Sequence, residues 1–214
     1  MKKLLFAVSA LAALSLLAPS AGFAQTAANQ FGIYTSQDGA PASANATAVA
    51  NQPVTAYLVL TNPINHTYRA VSTDPDSERA VNLVDGWEAK VIKPTAPTFF
   101  ALTENLGPQA IDIGTKPDYV VGYASPLSVS AAAVTLCTWS FLQLDGGTYE
   151  FFLDVTDIPA IVGTMAYQDG EDAHQPLVSA YPSSGNSANP VFTINGAAVA
   201  VEDETWGGVK ALFK

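Results

Sequence analysis

Apolar and polar residues alternate along most of this chain in short runs, and the runs are broken by glycine, proline, asparagine and aspartate. Trp87, Ala89 and Val91 interleave with Glu88 and Lys90, the period-two pattern of a strand with one face inside and one face wet. The same reasoning predicts strands at 31–34, 54–60, 86–92, 98–103, 110–113 and 119–123. Further strands are expected at 160–163, 165–167, 177–181 and 191–194. The most informative stretch is 133–155, AVTLCTWSFLQLDGGTYEFFLDV. Asp145-Gly146-Gly147 separates two β-favouring runs there and predicts a hairpin, because Gly adopts the positive φ that a tight turn requires. In the second run Tyr149, Phe151, Leu153 and Val155 share one face. The first run is apolar on both faces, which predicts a central, doubly covered strand.

About ten short strands, turn signals every few residues and no long amphipathic helix predict an all-β fold. The expected architecture is an antiparallel, immunoglobulin-like β-sandwich of about 8–10 strands. Other stretches lack the pattern. Residues 25–52 are rich in Ala, Asn, Ser and Thr, and 65–82 read as a polar, charged loop. At the far end Trp206, Val209 and Phe213 recur at helical spacing, with acids in front and Lys210 and Lys214 behind. That arrangement suits a short helix and its dipole.

Residues 1–24 carry a different pattern. Lys2 and Lys3 precede the apolar run 4–17, and Gly22-Phe23-Ala24 offers small residues at the cleavage positions. This predicts a secretory signal peptide and export through the Sec route to the periplasm, cell surface or medium. The run is too short for a membrane span. The expected domains are therefore a signal peptide (1–24), a β-sandwich (25–196, with 25–52 its low-complexity part) and a C-terminal tail (197–214).

Charge narrows the partners. The chain carries a formal −10, and loss of Lys2 and Lys3 would take it to −12. Between Lys116 and Lys210 there is no Lys or Arg among eleven Asp and Glu. Such a surface repels phosphate, which excludes nucleic acid as a partner. Cys137 is the only cysteine, so no internal disulfide forms.

Candidate chemistry is sparse. There is no G-x-S-x-G elbow, no H-E-x-x-H, and only His66 and His174. Asp74, Asp76, Glu78, Asn82 and Asp85 stand at positions one, three, five, nine and twelve of a calcium loop. Calcium is accordingly the candidate cofactor, although Arg79 occupies the position that needs glycine. Trp87, on a half-exposed strand, is the candidate sugar-stacking residue.

The segments VTAYLVLTNP, GWEAKVIKP, AVTLCTWSFLQL, YEFFLDV and PVFTING resemble, in this order, the cohesin-like and carbohydrate-binding-module-like β-sandwiches of secreted bacterial proteins. Gly32-Ile33-Tyr34, Tyr167-Gln168-Asp169-Gly170 and Thr205-Trp206-Gly207 also resemble pieces of uncharacterised secreted bacterial proteins. The resemblance implies a fold more than an activity. The expected function is a non-enzymatic surface, adhesion or binding module whose partner is a protein or carbohydrate. A self-assembling, homo-oligomeric envelope subunit and a secreted carbohydrate hydrolase remain alternatives.

Overall fold

The computed structural model describes residues 27–199, so the expected signal peptide and the helical pattern at 205–214 lie outside the described residues. The described chain forms two packed layers of β-strands, as the alternation requires. The first strands are β1 (Gln30–Tyr34), β2 (Asn45–Ala46), β3 (Pro53–Thr61), β4 (Ile64–Tyr68) and β5 (Ser77–Ala80). Next come β6 (Leu83–Ile92), β7 (Phe99–Asn105), β8 (Ala110–Asp112), β9 (Asp118–Ser128) and β10 (Ala133–Gln143). The last are β11 (Tyr149–Asp154), β12 (Met165–Asp169), β13 (Leu177–Pro182) and β14 (Phe192–Ile194).

One layer runs β7-β10-β3-β1. In the other, β6 is the axis. Its one edge pairs with β9, which carries β8 at the margin. Its other edge is shared, with β12 against Val84–Glu88 and β11 against Lys90–Ile92. β13 pairs antiparallel with β12 and parallel with β1, which joins the layers along a seam. Aromatic side chains fill the space between: Trp87 meets Phe31 at 6.3 Å, Tyr119 meets Trp139 at 6.3 Å, and Phe141 meets Phe151 at 4.9 Å.

Several elements depart from the pattern-based expectation, each for a physical reason. The run 133–155 is not a hairpin. β10 pairs with β3 and β7, while β11 pairs with β6 and β14. The turn chemistry is as expected, since Gly146 has φ +68° and the Asp145 carboxylate accepts the Gly147 N–H at 2.8 Å. The chain nevertheless arches from one layer to the other, because Phe141 and Phe151 face each other across the core and not along a shared sheet. β10 is central but not covered on both faces. A bulge between Thr135 and Cys137 buries both Leu136 and Cys137, and beyond it Thr138, Ser140 and Leu142 are only half-buried.

The 65–82 stretch holds a two-stranded hairpin, β4 with β5. Residues 160–163 form no strand. The low-complexity N-terminal part is built into the core: Ala44 and Ala46 are buried, and β2 pairs in parallel with β14. Small residues fit there because the chain lies close against strand backbones. Among the described residues no helix is long and apolar enough to cross a membrane.

Candidate functional site

The outer face of β8-β9-β6-β12 carries a groove of about 640 Å³. Its floor comes from a cross-strand pair of glycines. Gly86 on β6 lies opposite Gly122 on β9, and Ile111 on β8 lies opposite Gly122 from the other side. The two glycines differ in what they permit. A Cβ on Gly86 would come within 2.7 Å of the Val121 carbonyl oxygen, whereas a Cβ on Gly122 would meet nothing within 4 Å. Gly86 is thus demanded by the backbone, and Gly122 leaves the groove open.

Apolar side chains form the rims. Ile111 and Ile113 stand on one side, with Ile113 78% exposed, and Leu177 at the start of β13 stands on the other. One end is closed by the 155–164 loop, whose Ala160 lines the groove. That loop is pinned by its polar atoms. The Glu88 Oε1 accepts the Ala160 N–H at 2.8 Å, Lys90 pairs with Asp157, and the Asp118 Oδ2 accepts the Asp157 N–H at 2.9 Å. The pinning leaves Ile158 and Val162 projecting, 89% and 92% exposed.

Asp85 lines the groove as well. Strict alternation counted back from the inward Trp87 would point Asp85 inward and Val84 outward, yet Val84 is a core residue, so the alternation breaks between them. The registers of β6 against β9 and against β12 both step from Val84 to Gly86, so Asp85 pairs with neither neighbour. A bulge of this kind re-aims a side chain. The Asp85 carboxyl faces Gly170, where an added Cβ would lie 3.0 Å from its Cγ. Partial burial, and then the nearby Asp169, push its pKa upward. Among the described residues no cation or hydrogen-bond donor reaches it.

The pattern-based candidates fall elsewhere. Trp87 lies beneath the groove floor, 3% exposed. It stacks on Tyr119 at 5.6 Å, and its Nε1–H donates to the Tyr123 hydroxyl at 2.9 Å. Both sides of its strand are paired and its side chain points into the core, so it offers no ring face to a sugar. The calcium-loop residues are dispersed. Asp76 pairs with Arg69, Glu78 accepts from His66 at 2.7 Å, the Asp74 carboxylate accepts the Val71 N–H at 3.3 Å, and Asp85 belongs to the groove. The physical reason is the β4–β5 hairpin, which takes up a backbone path that a calcium loop would need for itself. Among the described residues no three of His, Cys, Asp and Glu gather to hold a metal ion.

Besides Glu88, two buried carboxylates, Asp169 and Asp172, lie at the β12–β13 connection. The Asn65 amide donates to Asp169 and to Asp172, each at 3.0 Å, and the Arg69 N–H donates to Asp172 at 3.0 Å. Arg79 pairs with Glu171. These contacts fasten the β4–β5 hairpin to the sandwich. Burial raises the pKa of Asp169 more than the Asn65 hydrogen bond lowers it. For Asp172 burial is outweighed by the N–H groups of His174 and Arg69, which hold its pKa down.

A second polar cluster surrounds Glu104 at the end of β7. Its carboxylate accepts from the Trp139 Nε1–H at 2.9 Å, from Lys93 at 3.1 Å and from the Tyr119 hydroxyl, and pairs with Lys116 at 3.1 Å. Burial alone would raise its pKa, but the Tyr119 and Trp139 hydrogen bonds and the Lys93 charge hold it at about 2. A carboxylate so fixed in its charged form is no general acid near neutral pH. Burial, reinforced by Glu104, pushes the nearby Cys137 thiol up to about 12, so it is no nucleophile either. Pattern reading missed the groove because its signals are a pair of glycines on different strands and a strand bulge. Neither is visible before the strands are aligned.

No family model matches the chain, and no curated protein matches it. Among solved structures it is similar to the sixth cohesin of scaffoldin B from Acetivibrio cellulolyticus, determined in complex with a Cel5 dockerin mutant. The identity is 10%, the match covers 79% of this chain and 99% of that one, and the TM-score is 0.42. A type II cohesin domain from the cellulosome of the same organism matches at 12% identity over 81% of this chain and 98% of that one, with a TM-score of 0.44. The solution structure of CaCohA2 from Clostridium acetobutylicum matches at 12% identity over 64% and 86%, with a TM-score of 0.33.

Proposed function

We propose that the chain is an exported, non-enzymatic binding module and that the glycine-floored groove is its docking surface for a protein partner. The observation that carries this reading is the pinned 155–164 loop beside the groove. Its polar groups are tied down while Ile158 and Val162 are held out in water. Scattered exposed aliphatic residues are ordinary on any surface. Ile111, Ile113 and Leu177 are gathered around one open groove, beside a braced loop that adds Ala160 to its lining, and such a set is what an interface core requires. Covering one such aliphatic side chain contributes ~1.5–3 kcal/mol, so a few of them, with little loop ordering left to complete, support a specific complex. The open form suits a protein surface better than an enclosed small ligand.

The test is site-directed photo-crosslinking in the cells that export the protein, with the photoreactive residue placed at Ile113. The expected result is a discrete adduct with another protein that disappears in Gly122→Leu, a variant with unchanged melting temperature. Adducts that persist in Gly122→Leu would overturn the reading. An adduct with the mass of two copies would favour the envelope-subunit alternative.

A further inference from the structure

The groove has an electrostatic asymmetry that its apolar rims do not explain. Two carboxylates, Asp85 and Glu88, line it, and no Lys, Arg or His does. Glu88 is buried and has a task, accepting the Ala160 N–H. Asp85 has none. The neighbouring carboxylates already have their partners: Asp169 and Asp172 accept from Asn65, and Glu171 holds Arg79. The fold therefore supplies a cation or donor to each nearby acid except the one that the β6 bulge turns into the groove. Asp169, close to Asp85 and also acidic, adds to the negative potential at that end.

We infer that Asp85 is the specificity residue of the groove and receives a Lys or Arg side chain from the partner, flanked by apolar residues that lie against Ile111, Ile113 and Leu177. The inference rests on the groove being a docking surface, and it names the chemistry of the occupant. A basic side chain fits on three counts. Its charge complements an unpaired carboxylate, its alkyl stem lies along the glycine floor, and the guanidinium or ammonium meets a low-dielectric wall that strengthens the pairing over one in open water. An acidic partner would set like charges together, which discriminates against it.

The experiment uses a phage-displayed dodecapeptide library selected against the mature protein, with the enriched peptides then synthesised and titrated. The expected peptides carry Lys or Arg beside apolar residues. Asp85→Asn should weaken their binding about tenfold, Gly122→Leu should abolish it, and Asp85→Lys should shift a fresh selection toward Asp and Glu. The charge reversal is a readout that a merely structural role of Asp85 would not produce, and thermal melting confirms that each variant folds. Peptides blocked by Gly122→Leu but indifferent to Asp85→Asn would overturn the cationic anchor and leave the docking surface standing. Peptides indifferent to Gly122→Leu, or no enrichment at all, would overturn both.

Discussion

Glu104 shows how much a single side chain can organise. Three aromatic or cationic groups from β9, β10 and the β6–β7 connection converge on its carboxylate, and Lys116 takes the other oxygen. Its folded pKa lies at about 2, below the ordinary carboxylate value. The stabilisation is therefore fully present above that ordinary value and is lost as pH falls toward about 2. Glu104→Gln should lower stability by about 1–3 kcal/mol at neutral pH. It should also flatten the acid limb of the melting-temperature profile, and an unchanged limb would show that Glu104 is not the group responsible. Gly146, at φ +68° in the arch, is a second residue with a defined role. Gly146→Ala should cost about 1 kcal/mol through left-handed backbone strain, read as a lower urea midpoint. Local alternation made the inward set Tyr149, Phe151 and Leu153 legible in the sequence. It could not reveal Asp85, whose orientation depends on a bulge against two other strands.

At the level of elements, strand positions were legible and strand partners were not. Strands near 31–34, 54–60, 86–92 and 177–181 follow from period-two patterning, and the structure has β1, β3, β6 and β13 there. Pairing is decided by contacts between distant parts of the chain, so Asp145-Gly146-Gly147 marks a turn without saying which sheet the chain enters next. The β4–β5 hairpin escaped notice because its sequence, INHTY and SERA, is too polar to signal a strand. Its attachment is polar too, through the Asn65 amide to Asp169 and Asp172. Asn65→Ala leaves two buried carboxylates short of a donor and should cost about 1–3 kcal/mol. Amide exchange across 64–80 should accelerate more than in β6 or β10. Equal acceleration everywhere would mean that the hairpin is not a separable unit.

For the molecule as a whole, the seam between layers matters most. β1 lies between β3 and β13, and every one of its residues is buried. A variant lacking 27–52 loses this strand and β2 together and should show no cooperative thermal transition. A sharp transition in that variant would mean that the seam is dispensable. The seam also sets a kinetic rule. Gln30 and Phe31, near the start of the described chain, find their parallel partners at Tyr181 and Pro182, near its end. Pairings between such distant segments make folding slow, because loop-closure entropy must be met before the contacts form. A chain delivered N-terminus first cannot complete this sheet until almost all of it has emerged, so it waits open, and threadable, until its last strands arrive.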